Sequence, residues 1–178
     1  MNMNGKRIVL ITTVTLLIFG SCLSVKPGTT KSGAGSLYET FFVGSDGTQY
    51  FINPLKFTGN NKDELLVDFT FRYKDQVKDS VTCNFSIVSD EKIKKLDEAL
   101  LVAGEMSVKL EKITLLFNEK KGNQFVSRFS GRLLQADFNQ LFNVGYFTVA
   151  IGQAVYKPSS QTQKSIKKLN DKLFVLFD

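Results

Sequence analysis

The sequence predicts an α+β fold, in which a mainly antiparallel β-sheet of about seven strands carries two or three packed helices. Several segments alternate apolar and polar residues, which is typical of strands with one solvated face. The composition also favours strands, because the 178 residues include 16 Phe and no Trp, and aromatic residues are enriched in sheets. No segment shows the β–helix–β alternation that a parallel sheet requires.

Seven segments are predicted as strands. The clearest is 67–73, in which Val67 and Phe69 face one side while Asp68 and Thr70 face the other. The Asp46-Gly47 pair predicts a hairpin between the first two strands, because both residues tolerate a positive φ. The predicted strands are residues 37–43, 49–57, 67–73, 81–87, 106–117, 125–134 and 146–156.

Three segments are predicted as helices. In the first, Ser89 or Asp90 caps a helix that ends at Gly104, with apolar residues at helical spacing on one face. These apolar residues are Ile93, Leu96, Leu100 and Ala103.

The second predicted helix is a short turn capped by Asp137 and ended by Gly145. The third opens at Pro158-Ser159-Ser160. Its apolar stripe comprises Ile166, Leu169, Leu173 and Leu176.

The amino terminus has the organisation of an export signal. Lys6 and Arg7 form a basic start, and residues 8–19 contain only apolar side chains and threonines. A membrane-spanning helix needs about 20 apolar residues, so this run is too short to span and suits a signal peptide.

The residues Phe19-Gly20-Ser21-Cys22 that follow resemble the lipobox of bacterial lipoproteins. The resemblance implies cleavage before Cys22 and attachment of a diacylglycerol to its sulfur, with Phe19, Gly20 and Ser21 recognised by the processing enzymes. The chain then divides into a signal peptide at 1–21, a lipidated cysteine with a flexible tether at 22–36, and a single globular domain at 37–178.

The expected location is the cell envelope, with the protein held on the membrane by its N-terminal lipid. No acidic residue directly follows Cys22. In some bacterial groups an acidic stretch at that place directs lipoproteins to the cell exterior, so its absence favours the periplasmic side of the outer membrane.

Composition excludes several kinds of chemistry. The chain has no His, which removes Ser-His-Asp and Cys-His nucleophile systems and imidazole-bound zinc. With Cys22 lipidated, Cys83 is the only thiol left, so no internal disulfide forms. No phosphate-binding loop is present, and no cofactor or metal is predicted. The net charge of +6 is modest, which argues against a nucleic-acid partner.

Carboxylates are the remaining catalytic candidates, but solvation or helix capping is the preferred interpretation for them. Asp68 shares a strand face with Arg72, which predicts a solvated ion pair. The candidate acids are Asp63, Glu64, Asp68, Asp75, Asp79, Asp90, Glu91, Asp97 and Glu98.

Three further features can be interpreted either as functional or as purely structural. Cys83 shares its strand face with Val81 and Phe85, which predicts a buried, inert thiol. The phenylalanines either fill a core or line a cavity for an apolar ligand. Four lysines of the last helix form either a solvated face or a contact with lipid headgroups, and we prefer the solvated face. They are Lys164, Lys167, Lys168 and Lys172.

These observations favour a non-catalytic binding or scaffold module that is anchored by lipid in the cell envelope and has a protein partner there. Two alternatives stay open. One is a carrier or chaperone for a lipid or other apolar ligand, which a curved sheet covered by helices would suit. The other is a carboxylate-dependent hydrolase of envelope polysaccharide.

Overall fold

The computed structural model describes residues 37–60, 63–73 and 80–173. Within these residues, ten strands form one sheet in which every paired neighbour is antiparallel. This confirms the predicted α+β class with a mainly antiparallel sheet. The strands are β1 (Tyr38–Phe42), β2 (Thr48–Thr58), β3 (Glu64–Tyr73), β4 (Val81–Ser89), β5 (Ala99–Ala103), β6 (Met106–Lys109), β7 (Glu111–Lys121), β8 (Gln124–Leu133), β9 (Thr148–Ile151) and β10 (Ala154–Pro158).

The strands lie in the order β6-β5-β9-β10-β2-β3-β4-β8-β7, with β1 also paired to β2. One side of β2 is shared, because residues 48–52 pair with β1 whereas Phe57 and Thr58 pair with β10. Between these two parts the register with β3 shifts, from Ile52 to Leu55. Pro54 lies in this interval and has no N–H to donate to the ladder. The sheet therefore bends at β2.

Two helices, α1 (Gln135–Asn143) and α2 (Ser160–Leu173), cover one face of the sheet. The ring of Phe69 on β3 lies 5.2 Å from that of Phe138 and 5.5 Å from that of Phe142, both on α1. Phe147 joins the same cluster, with its ring 5.8 Å from that of Phe142. All four side chains are fully buried. Phenylalanine thus fills the space between the sheet and its helices.

The last helix begins where the sequence predicts. The Ser159 Oγ accepts a hydrogen bond from the Thr162 backbone N–H at 3.1 Å, which caps the helix. The Thr162 hydroxyl in turn donates to the Lys56 carbonyl at 2.7 Å and ties α2 to β2. The predicted apolar stripe is buried at Ile166, Leu169 and Leu173, whereas Leu176 lies outside the described residues.

The short helix α1 differs from its prediction at one end. Its N-cap is Leu134, which makes no side-chain capping bond, and Asp137 lies inside the first turn. A carboxylate there still interacts favourably with the positive end of the helix dipole. Gly145 follows the helix with a φ of +71°, in agreement with its predicted role as the end.

The predicted helix from Ser89 or Asp90 to Ala103 is wrong. Residues 92–96 lie in neither a helix nor a strand, and residues 99–103 form β5, in which Ala99 and Leu101 alternate with less buried neighbours. The apolar residues of this segment fit both the helical period of 3.6 and the strand period of 2. Residues 99–103 are all apolar, so apolar residues recur at either spacing. Pairing with β6 on one side and β9 on the other decides the outcome.

Two further predicted strands are each divided, which together with β5 gives ten strands instead of about seven. Residues 106–117 contain all of β6 and part of β7, and residues 146–156 contain β9 and part of β10. Gly152 has a φ of +57° and opens the two-residue turn between β9 and β10. Gln153 has no positive φ, which identifies a type II′ hairpin turn. Gly104 and Gly122 open hairpins in the same way.

Candidate interaction surface at the free edge of β7

Strand β7 closes one end of the sheet. It is 11 residues long, and among the described residues it pairs with β8 alone. The backbone groups on its other side are therefore open to another strand. Such an edge is a template for pairing with a second chain unless the protein protects it. The opposite end of the sheet is β6, which has only 4 residues.

Three successive apolar residues on β7 are exposed. Leu115 is 39% exposed, Leu116 52% and Phe117 44%. In the ladder, Leu115 lies opposite Phe129 and Phe117 lies opposite Arg128, so Leu116 is the extra residue of a β-bulge. The bulge places Leu115 on the helix-covered face and Phe117 on the other face.

The start of β7 has an unusual backbone. Lys112 has a φ of +51°, the one positive φ of a non-glycine residue in the described part of the chain. A left-handed conformation costs such a residue about 1–2 kcal/mol. The register with β8 also shifts here, between Glu111 and Thr114. Strained positions of this kind collect at binding and catalytic sites.

A groove of about 620 Å³ lies beside this strained segment and is open to solvent. It is formed where residues 95–97 pass the junction of β6 and β7. Its lining residues are Lys95, Leu96, Asp97, Lys109, Leu110, Glu111, Lys112 and Ile113.

The charges along the groove are mixed. The Lys95 Nζ lies 2.6 Å from the Asp97 Oδ1, and the Lys109 Nζ lies 2.7 Å from the Glu98 Oε1. The hydrogen bond to Asp97, and then its charge, raise the pKa of the Lys95 ammonium. The groove therefore has a polar lining in which both signs of charge occur, whereas residues 115–117 farther along β7 are apolar.

The segment that forms one wall of the groove is held against the end of the sheet. The Ser127 Oγ on β8 donates to the Asn118 Oδ1 on β7 at 2.6 Å. The Ile93 backbone N–H donates to the same Ser127 oxygen at 3.1 Å. Ser127 is fully buried, so this side chain links β7, β8 and the segment that contains Ile93 at one point.

Asp68 has a different partner from the one predicted. Its Oδ2 lies 2.7 Å from an Arg128 Nη2, and its Oδ1 accepts from the Asn84 Nδ2 at 2.9 Å. Arg128 also donates to the Ser86 hydroxyl at 2.9 Å. Arg72 instead donates to the Gln49 Oε1 at 3.3 Å. The predicted solvated Asp68–Arg72 pair is therefore wrong, because Arg128 on β8 reaches across β4 to a buried Asp68.

Two of the other candidate acids have polar side-chain partners. Glu64 pairs with Lys56, and Asp90 accepts a hydrogen bond from Gln124 at 3.4 Å. Asp75 and Asp79 lie outside the described residues. Within the described part of the chain, no group of three or more His, Cys, Asp or Glu side chains has the arrangement of a metal site.

The remaining predicted positions divide into three groups. Cys83 is fully buried, as predicted, and burial followed by the charge of Asp68 raises the pKa of its thiol. The four lysines are exposed on α2, opposite its buried stripe. Phe19, Gly20, Ser21 and Cys22 lie outside the described residues.

A second groove, of about 570 Å³, lies on the sheet face away from the helices. The rings of Phe41 and Phe51 meet there edge to face, 5.3 Å apart. Gln49, Thr70, Arg72 and Thr82 supply its polar lining. Sequence reasoning missed both grooves, because each joins segments that are distant in the chain. The groove beside β7 contains one unusual local feature, the positive φ of Lys112. Residue propensities do not predict a positive φ for lysine.

No protein-family model, no curated protein and no solved structure matches this chain. A search of the described helices finds none with the length and apolar character that crossing a membrane requires.

Proposed function

We propose that this chain is a lipid-anchored binding module of the cell envelope, tethered through Cys22 to the periplasmic side of the outer membrane and acting through protein contacts. One observation supports this function above the others. Among the described strands, the long edge strand β7 pairs with β8 alone, and it also exposes Leu115, Leu116 and Phe117. Contiguous exposed apolar residues on a sheet edge are typical of protein interaction sites.

The mode of binding that suits this surface is strand addition. An extended segment of the partner would hydrogen-bond along β7, and its alternate side chains would meet Leu115 on one face and Phe117 on the other. The groove at Lys112 would hold a charged part of the same segment. A strand with alternating apolar residues and both signs of charge is therefore the expected ligand.

Photocrosslinking in living cells tests this proposal. With p-benzoylphenylalanine in place of Phe117, irradiation should yield a defined adduct with an envelope protein. Leu116→Lys should abolish the adduct, because a charge replaces an apolar contact at the centre of the edge. Leu134→Lys is the matched control, since Leu134 is also exposed, at 63%, but lies at the start of α1. The absence of an adduct, or equal loss in both variants, would overturn the proposal.

The anchor is tested separately by metabolic labelling with a fatty-acid probe. The wild-type chain should incorporate the probe, and Cys22→Ala should not incorporate it and should release the protein from the membrane fraction. Four methylene groups of buried acyl chain already contribute about 3 kcal/mol to membrane binding. Labelling that persists in Cys22→Ala would contradict the lipoprotein assignment.

A carrier of an apolar ligand is the second candidate, and the groove around Phe41 and Phe51 favours it. Its weakness is geometric, because ligand sites bury most of the ligand surface and this groove is open. A fluorescent fatty acid provides the test. Saturable binding that Phe51→Ser removes would support the carrier, and binding that this substitution leaves unchanged would reject it.

A further inference from the structure

The solvent face of α2 concentrates positive charge. Its four exposed lysines, Lys164, Lys167, Lys168 and Lys172, have no ion-pair partner among the described residues. Lys56 and Lys109, by contrast, form ion pairs with Glu64 and Glu98. Asp171 is the one acid within the same stretch of α2. The face keeps a clear excess of positive charge.

Apolar side chains border this charge. A Cβ built on Gly145 would lie 3.4 Å from the Lys167 Cγ, so the turn after α1 lies against the stem of that lysine. Its neighbours Val144 and Tyr146 are 56% and 39% exposed. Lysine stems beside an exposed tyrosine and an aliphatic residue form the combination that settles at the boundary between lipid headgroups and acyl chains.

We propose that this basic face, formed by the α2 lysines with Val144 and Tyr146, docks on an anionic phospholipid bilayer. Charge complementarity selects the occupant, because a membrane rich in anionic lipid attracts a surface with an excess of exposed lysines. The inference rests on the proposed function in one respect, since the anchor at Cys22 brings the domain within reach of the membrane. Docking would then fix which way the β7 edge points.

Each lysine near an anionic membrane contributes about a fivefold increase in partitioning. Removal of three lysines should therefore lower the docking equilibrium constant about 100-fold. Salt should weaken the docking, because exposed charges are screened over roughly 10 Å at moderate ionic strength.

The natural chain contains no Trp, so Tyr146→Trp introduces a single fluorescent reporter into the proposed contact. The full-length protein with this change is reconstituted into vesicles of phosphatidylcholine, with or without phosphatidylglycerol, that contain brominated lipid as a quencher. The reporter should be quenched only when phosphatidylglycerol is present. Phe42→Trp, on β1, is the control and should show no such difference.

Two triple variants of equal net charge distinguish an effect of the lysines on this face from an effect of the net charge of the protein. Lys164→Gln, Lys168→Gln and Lys172→Gln together should remove the quenching of the reporter. Lys56→Gln, Lys95→Gln and Lys109→Gln lower the net charge equally and should leave it unchanged. The proposal is overturned if both triple variants lose the quenching equally, or if the reporter at 146 behaves alike in neutral and anionic vesicles.

The same samples separate this inference from the lipid anchor. Flotation of the wild-type protein with vesicles of phosphatidylcholine alone depends on the acyl chains, since these vesicles attract no lysine. Failure to float would count against the anchor. Flotation without quenching at position 146 would retain the anchor and overturn the basic face.

Discussion

The buried side of the sheet and its β7 edge use the same residue types in opposite ways. Phe69, Phe138 and Phe142 meet under the helices and are inaccessible to water, whereas Leu116 and Phe117 lie exposed on the last strand. Packing accounts fully for the first group. Packing within the described residues accounts only in part for the second group, because burial of apolar surface is favourable and yet Leu116 and Phe117 are 52% and 44% exposed. The exposed residues of the edge are the ones that the proposed partner contact would explain.

The largest test of this comparison pairs two phenylalanines. Phe69→Ala should lower the free energy of unfolding by about 3–5 kcal/mol, because a cavity replaces a fully packed ring. Phe117→Ala should change it by less than about 0.5 kcal/mol. Urea denaturation of both variants measures the difference. Similar losses would mean that β7 is covered by part of the chain itself.

The next test contrasts two ion pairs. The side chains of Asp68 and Arg128 are only 12% and 25% exposed, so Asp68→Ala leaves buried donors unpaired and should cost about 1–3 kcal/mol. Asp97→Ala removes the exposed pair with Lys95 and should cost less than about 0.5 kcal/mol. Equal costs in urea denaturation would contradict a structural role for Asp68 on the sheet face.

Alkaline pH should lower the free energy of unfolding because of ionisable groups in the buried region. Burial raises the pKa of the Cys83 thiol above its unfolded value, so above pH about 8.5 the unfolded chain releases a proton that the folded chain retains. The stability contributed by the neutral thiol is complete below the unfolded pKa and falls as the pH rises, by about 1.4 kcal/mol per pH unit. Burial likewise raises the pKa of Tyr50 and Tyr156, which extends the loss above pH about 10.

Cys83→Ala provides the control for this pH dependence. Its free energy of unfolding, measured by urea denaturation between pH about 8.5 and 10, should lose the steep decline. A wild-type protein whose stability is constant over this interval would show that the thiol ionises equally easily in the folded and unfolded chains, against its complete burial.

The smallest expected effect concerns Lys112. Glycine adopts its φ of +51° without steric cost, so Lys112→Gly should raise the free energy of unfolding by about 0.5–1 kcal/mol. Lys120→Gly, later in the same strand, should instead lower it. A gain in stability combined with a weaker Phe117 adduct would show that the strained backbone shapes the binding groove. A loss of stability would mean that this conformation carries no strain.

The sequence correctly predicts those parts of the fold whose apolar pattern fits only one kind of secondary structure. Strand β3 alternates Val67, Asp68, Phe69 and Thr70 without a competing period, and the structure confirms it. The pattern of segment 90–103 fits either a helix or a strand. The strand forms because it pairs with β9, where Thr148 contacts Val102, 46 residues away in the chain. Local pattern alone cannot contain that information.

The candidate surface is harder to predict than the fold. The sequence correctly predicts residues 115–117 within a strand, but their exposure depends on β7 having no second neighbour among the described strands. The groove depends on Lys112 adopting a conformation that its side chain disfavours. The lysines of α2 are the opposite case, because the helical period alone places them opposite the buried Ile166 and Leu169.

Hydrogen exchange along β7 tests the central claim most directly. The amides of Glu111–Lys121 should exchange more slowly in isolated envelope membranes than in the purified protein, because a partner strand would occupy their open hydrogen bonds. The amides of Met106–Lys109, at the other end of the sheet, should exchange equally in both samples. Equal exchange of β7 in membranes and in solution would contradict a partner on this edge.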